Sequence, residues 1–366
     1  MPLIDHRSPR YRSAARRWCR IAALANIAGT ALLVLGGCGG GRPTSIGDPL
    51  DGTVPIALTD MGQRTYKGFT GGLYSAGNEP PAAHAAAGLE QARLVAPLDV
   101  AGNPDPDGAY VLLSIGMSNT TQEFCSQSSA LPCESWTFMG LAAADPEVNH
   151  TTLAIVNGAA GGQAAETWDS PTDANYDRVR DTRLAPLGLS EQQVQIVWVK
   201  VARPQPSTAL PASNADAHLL DRNIGNILRA IRVRYPNVRQ VFLSSRIYAG
   251  YATTTLNPEP YAYESGFAVK WVIEAQIRQS AGFGVDGEAG DLDYPGVAPW
   301  SAWGAYLWAD GTTARSDGLT WVRTDLQADG THPAPSGQEK VGAMLLAFFR
   351  TSPFTRCWFL SAGGSC

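Results

Sequence analysis

Four short apolar runs, Tyr110 to Ile115, Thr152 to Val156, Val194 to Val201 and Val238 to Ile247, are continuous rather than alternating. A strand with one face in water alternates apolar and polar side chains, whereas an unbroken run needs apolar cover on both faces, as in a parallel sheet. Between the last two runs Leu220, Ile224, Ile227, Leu228 and Ile231 recur at helical spacing, with Ser213 or Asn214 available as a cap. Helices are also expected across Tyr263 to Gln279 and across Gln338 to Arg350. In the latter, Ser336 and Glu339 read as a capping box and Val341, Leu345 and Phe348 as the buried stripe. Strands and helices in alternation predict an α/β domain over 109–366, a three-layer doubly wound parallel sheet. Residues 59–108 are punctuated by Gly and Pro without strong periodicity and are expected to form an irregular lead-in packed on that domain. No internal repeat is found.

The start of the chain has a different character. Arg7, Arg10, Arg12, Arg16, Arg17 and Arg20 precede an apolar run from Ile21 to Leu35 that ends in Gly36, Gly37 and Cys38. A basic segment, a 15-residue apolar stretch and small residues at its end mark 1–37 as an export signal rather than a membrane span. Leu35-Gly36-Gly37-Cys38 resembles a bacterial lipobox, which makes Cys38 the expected lipidation site, with ordinary signal cleavage as the alternative. Residues 38–58, rich in Gly, Pro, Ser and Thr, suit a flexible tether. The chain carries 28 Lys+Arg and 33 Asp+Glu for a formal charge of −5, but the leader alone holds +5, so the remainder stands near −10. An acidic body excludes nucleic acid or anionic lipid held on a broad basic face. Contact with a membrane is expected only through the anchor.

Beyond Cys38 the cysteines are Cys125, Cys133, Cys357 and Cys366, an even set that reads as disulfides in an exported chain. Three pairings exist, and loop closure favours the two local ones, Cys125 with Cys133 and Cys357 with Cys366. No Cys-x-x-Cys spacing occurs and the four His after the leader are far apart, so no metal is expected. The acidic stretch Asp286, Glu288, Asp291 and Asp293 lacks the spacing of an EF-hand loop and reads as a solvated loop.

Ligands of an open parallel sheet sit at the carboxyl ends of its strands, so the segments that follow the apolar runs bear the chemistry. After the first comes Ser114-Ile115-Gly116-Met117-Ser118-Asn119-Thr120, which presents Ser118 Oγ at a strand-to-helix turn. A nucleophilic Ser needs a base, and a base His needs an acceptor for its second ring N–H. Asp329-Gly330-Thr331-His332-Pro333, just before the final helix, supplies both within one tight turn. The second run ends in Val156-Asn157-Gly158-Ala159-Ala160-Gly161-Gly162-Gln163, whose glycines let backbone N–H groups approach a developing oxyanion.

These blocks together resemble the SGNH (GDSL-like) hydrolases. Gly116-x-Ser118-Asn119 is similar to the nucleophile block of the sialate O-acetylesterase-like carbohydrate esterases, and the Asp329–Pro333 block is similar to the family's last block. Asn157 followed by Gly162 is similar to its second. The resemblance implies a flavodoxin-like sheet, Ser118 as nucleophile, His332 as base, Asp329 as orienter, and an oxyanion hole from the N–H groups of Ser118 and Gly162. The third block departs, since Trp198-Val199-Lys200-Val201-Ala202-Arg203-Pro204 has no side-chain amide and Lys200 stands where the family's Gln is expected. Either the Lys200 ammonium is the missing donor, or the hole has two donors, or the site is not a working hydrolase. Lys200 as a solvated strand-end residue is the remaining reading.

Aromatic residues after the fourth run and before the last block are suited to stacking on sugar rings, and Arg246, Tyr248, Trp303 and Trp308 are the candidate substrate contacts. The whole predicts an exported serine esterase that removes O-acetyl or other small O-acyl groups from a carbohydrate, without a cofactor. The alternative is a non-catalytic, glycan-binding envelope lipoprotein on the same body. A long-chain lipase is disfavoured because no long apolar lid helix is visible.

Overall fold

The computed structural model describes residues 51–126, 131–362 and 366, so the expected leader 1–37 and Cys38 lie outside the described residues. Three two-residue strands come first, β1 (Asp51–Gly52), β2 (Thr65–Tyr66) and β3 (Phe69–Thr70), followed by helix α1 (Ala82–Arg93). The main sheet is built from β4 (Tyr110–Gly116), β5 (Leu153–Asn157), β6 (Val194–Lys200), β7 (Gln240–Leu243) and β8 (Trp300–Trp303). All neighbours pair in parallel, in the order β5-β4-β6-β7-β8. This is the flavodoxin-like order, in which the chain reverses its direction of growth between β4 and β6 and leaves a crevice at their carboxyl ends.

The apolar runs divide their side chains between two cores, because successive strand residues point to opposite faces. Val111, Leu113 and Ile115 of β4, Val197 and Val199 of β6, and Val241 and Leu243 of β7 lie in the core shared with α5 (Asp216–Arg234) and α6 (Tyr261–Ser280). Leu112, Ile196, Trp198, Phe242 and Trp300 lie in the opposite core, against α7 (Pro335–Thr351) and α8 (Arg356–Phe359). The helical stripe read from the sequence is buried, with Leu220, Ile224, Ile227, Leu228 and Ile231 each no more than 3% exposed. Three shorter helices complete the fold: α2 (Ser118–Phe124), α3 (Phe138–Ala144) and α4 (Ala174–Val179). Cys125 pairs with Cys133 and Cys357 with Cys366.

Several boundaries differ from expectation. The fourth run extends as a strand only over Gln240–Leu243. Helix α5 begins at Asp216 and is capped by neither Ser213 nor Asn214, while the Asp216 carboxylate receives the N–H groups of Ser207 and Thr208. Helix α7 begins three residues early because Pro335, with φ already fixed, suits a first turn whose N–H has no partner. Ser336 therefore lies inside the helix and donates to Asp325 Oδ1 instead of forming the capping box. The tether expected over 38–58 ends sooner, since Ala57 and Leu58 are buried and Leu58 N–H donates to Tyr306 Oη at 3.1 Å.

The lead-in covers an edge of the sheet. Strand β8 has β7 on one side only, and its other edge is closed by side chains. Gln276 Oε1 accepts from Ser301 N–H, His84 Nε2 meets Ser301 C=O at 2.9 Å, and Tyr74 Oη accepts from Trp303 N–H. Helix α1 lies so close that a Cβ on Gly88 would fall 2.2 Å from the Trp300 ring, which explains the glycine.

Asp221 on α5 is 4% exposed, and its Oδ1 has no hydrogen-bond partner among the described residues. Burial, together with Asp286 and Glu288 nearby, pushes its carboxyl up to about 8. A carboxyl raised in the folded state contributes stability below its unfolded value near 4, and loses it as pH rises toward the folded value. Asp221→Asn should therefore match the wild type near pH 4 and become progressively more stable than it between about pH 5 and 8. Urea unfolding of both proteins across that range checks this, with a gap of at least about 1 kcal/mol expected at pH 8.

Candidate active site

Ser118 is placed by a turn that tolerates no other residue at Gly116. There φ is +155°, and a Cβ would fall 2.2 Å from Lys200 C=O and 2.4 Å from Thr120 Oγ1. Thr120 Oγ1 donates to the same carbonyl at 2.6 Å, fastening α2 to the end of β6. Ser114, Asn157 and Thr121 tie β4, β5 and α2 together: Ser114 Oγ donates to Asn157 Oδ1, and Asn157 Nδ2 donates to Thr121 Oγ1, both at 2.7 Å. Ser118 is thus held from three sides before any substrate arrives.

His332 comes from the loop before α7. Gly330 adopts φ +66°, and a Cβ there would lie 1.8 Å from Tyr251 C=O, so the Asp-Gly-Thr-His turn also requires its glycine. Asp329 Oδ1 accepts the backbone N–H groups of Thr331 and His332, each at 3.0 Å. Its Oδ2 receives the His332 Nδ1–H at 2.5 Å, leaving Nε2 to face Ser118 Oγ at 2.8 Å. Burial raises the Asp329 carboxyl, but the hydrogen bonds from His332 and Thr331 outweigh it and hold the group below its ordinary value. The carboxylate therefore stays charged beside the ring. Asn119 Nδ2 donates to Thr331 C=O at 3.0 Å, so the residue after Ser118 steadies the loop that carries His332.

Gly162 enters from the loop after β5 with φ +75°, and its neighbour Gly161 passes close enough that a Cβ would sit 4.0 Å from Ser118 Cβ. Among the described residues, neither Ser118 N–H nor Gly162 N–H meets a protein acceptor. Both residues line one cavity of about 130 Å³ together with His332, Arg246, Asn257 and Leu256. Two unengaged donors beside a Ser-His-Asp chain form a site suited to acyl transfer. Among the described residues no group of three or more His, Cys, Asp or Glu is placed to hold a metal ion.

Lys200 requires a correction. It is neither solvated nor a donor to the cavity, for it is wholly buried and its Nζ hydrogen-bonds both carboxylate oxygens of Glu123 on α2, also wholly buried. Burial pushes Lys200 down to about 8 against the pull of Glu123, and raises the Glu123 carboxyl despite Lys200. With Nζ on both oxygens of Glu123 and no place in the wall of the cavity, Lys200 acts as a rivet between α2 and β6. The sequence placed Lys200 at a strand end but said nothing of Glu123, a single acid in an otherwise uncharged helix.

The aromatic candidates are corrected too. Trp303 and Trp308 are 4% and 1% exposed, and their indole N–H groups donate to Leu73 C=O and Glu259 Oε1. Tyr248 is half-buried against Tyr251 and Trp308, and none of the three lines the cavity that holds Ser118. Their rings are large enough to be wanted by the core, which explains the misplacement. Arg246, by contrast, lines the cavity, as does Asn257, which the sequence did not signal.

The Lys200–Glu123 pair makes a prediction. Removing one partner of a buried pair strands the other charge and costs about 3–5 kcal/mol, whereas replacing both with apolar residues is often near neutral. Lys200→Met should lower the urea midpoint strongly, and the double variant Lys200→Met with Glu123→Leu should recover most of the loss. Equal destabilisation by the single and double variants would contradict this account.

No protein-family model matches the sequence, and no curated protein matches it. Among solved structures it is similar to the salicylyl-acyltransferase SsfX3 from a tetracycline biosynthetic pathway, at 16% identity and a TM-score of 0.34, over 69% of this chain and 58% of that one. It is also similar to the psychrotrophic esterase EstA from Pseudoalteromonas sp., at 11% identity and a TM-score of 0.35, over 66% of this chain and 96% of that one. A family two carbohydrate esterase from Clostridium thermocellum is similar at 16% identity and a TM-score of 0.35, over 66% of this chain and 63% of that one. The likeness is partial at these scores, and the chemistry of the site stands on its own residues.

Proposed function

We propose that the protein is an exported serine esterase that removes O-acetyl or other small O-acyl groups from a carbohydrate. The observation that carries the reading is the unbroken chain from Ser118 Oγ through the His332 ring to Asp329, at 2.8 Å and 2.5 Å, with two unengaged N–H groups beside it. A protein that only bound glycans would have no use for a base aligned on a serine hydroxyl. The cavity of about 130 Å³ suits a small acyl group better than a long chain. The carbohydrate part of the reading rests on the resemblance of the Gly116-x-Ser118-Asn119 block.

In this mechanism Ser118 Oγ attacks the ester carbonyl as His332 Nε2 takes its proton, and Asp329 stabilises the imidazolium formed. The oxyanion is received by the N–H groups of Ser118 and Gly162. His332 passes its proton to the leaving sugar hydroxyl as the C–O bond breaks, giving the acyl-enzyme and free alcohol. Water, deprotonated by His332, then releases the carboxylic acid and restores Ser118. A hole with two backbone donors is the form of the third-block departure most consistent with Lys200 being engaged by Glu123.

Ser118→Ala and His332→Ala should each lower kcat on 4-nitrophenyl acetate by about a thousandfold or more, and the double variant should be little worse than either, since the members act as one unit. Asp329→Ala should cost less. A fluorophosphonate probe should label the wild type at Ser118, and full esterase activity in Ser118→Ala would refute the assignment. Cys38 is proposed as the lipid anchor, so Cys38→Ser should shift the protein out of the membrane fraction or leave it unprocessed. A wild type found wholly in the medium would overturn the anchor.

A further inference from the structure

Arg246, in the segment after β7, is 1% exposed, yet its Nε and Nη2 have no hydrogen-bond partner among the described residues. A guanidinium has five N–H donors and no means of losing its charge in a protein, so it cannot escape burial by neutralising as a lysine does. Its acidic neighbours are already engaged. Both oxygens of Glu123 are taken by Lys200, and Glu259 accepts the N–H groups of Ala249 and Tyr263 and the Trp308 indole. These carboxylates offset the charge of Arg246 without satisfying its donors. Buried polar groups of this kind find a partner in nearly all native proteins, and a buried cation needs one most.

The place of Arg246 says where that partner comes from. It lines the cavity that holds Ser118, Gly162 and His332. In the same wall Asn257, 6% exposed, donates its Nδ2 to Arg203 C=O and leaves its Oδ1 without a donor. The wall therefore lacks an acceptor for a cation and a donor for an amide oxygen. A carboxylate bearing a neighbouring hydroxyl supplies both, since guanidinium and carboxylate match as a fork and the hydroxyl donates to the amide.

We propose that the ester delivered to Ser118 carries a carboxylate, which Arg246 binds, with a hydroxyl of the same substrate on Asn257. This rests on the esterase reading above. The carboxylate could belong to the alcohol, as in an O-acetylated uronic acid, or to the acyl group, as in a hemisuccinate, and the test separates the two.

The full-length protein is assayed on matched esters: O-acetylated methyl glucuronoside against O-acetylated methyl glucoside, and the monosuccinyl against the acetyl ester of methyl glucoside. In one of the two pairs kcat/KM should favour the carboxylate-bearing member by about tenfold or more. In Arg246→Met that ratio should fall to about threefold or less, and Arg246→Lys, which keeps the charge without the fork, should hold an intermediate value. The ratio within a pair is insensitive to any general loss of activity in the variant. Calorimetry on the wild type, with methyl glucuronoside against methyl glucoside and succinate against propionamide, reads carboxylate binding without catalysis. Ser118-dependent hydrolysis of 4-nitrophenyl acetate with no carboxylate preference in either pair would overturn this inference and leave the esterase standing. In that case an equal fall in kcat on all esters in Arg246→Met would make Arg246 a transition-state donor instead. Carboxylate binding without hydrolysis of any ester would overturn the esterase and keep the anion site.

Discussion

The placement of Ser118 depends on two opposite charges, both wholly buried. Lys200 closes β6 and Glu123 lies on α2, a little over one turn beyond Ser118, so their contact fixes the helix that begins with Ser118. Such a pair is not a source of net stability, because desolvating both ions offsets most of their attraction. What it gives is a single answer to the question of where α2 lies. The same helix is pinned at its start by Thr120 on Lys200 C=O and on its flank by Asn119 on Thr331 C=O. Charge fixes the far end and neutral hydrogen bonds fix the near end.

Around this centre the parallel sheet brings together loops that are far apart in sequence. Ser118 follows β4, Gly162 follows β5, Arg246 follows β7, and His332 precedes α7, yet all four line one cavity. The strands contribute none of these four residues. Their part is to end at one level, so that each following loop begins at the same rim. Glycine at 116 and 330 then lets two of those loops turn where a Cβ would strike a backbone carbonyl.

How much of this was written in the sequence depends on the range of the interaction that decides each feature. Strands β4 and β6 read clearly, because burial on both faces leaves a local mark in composition. The contact of Asp329 with His332 was legible as well, since carboxylate and imidazole lie three residues apart and need no third element. Strand β8 did not, because Trp300-Ser301-Ala302-Trp303 is too short to show a period and its tryptophans suggest a binding surface as readily as a core. The partner of Lys200 was illegible for a different reason. It lies 77 residues away, and nothing local distinguishes a lysine that snorkels to water from one that meets a carboxylate indoors. Trp303 and Trp308 failed in the same way, their hydrogen-bond partners being set by the tertiary fold.

The capping of β8 by His84, Gln276 and Tyr74 has a bearing on how the molecule behaves in company. A sheet edge with open N–H and C=O groups is a template on which another chain can crystallise its own backbone. Here those groups are spoken for by side chains, two of them from the segment ahead of the sheet. The lead-in is therefore a guard as well as a cover. Were it to peel away, Gln276 would still hold Ser301 N–H, but Ser301 C=O and Trp303 N–H would lie open on the rim, and the first symptom would be self-association, ahead of any injury to the serine site on the far side of β7.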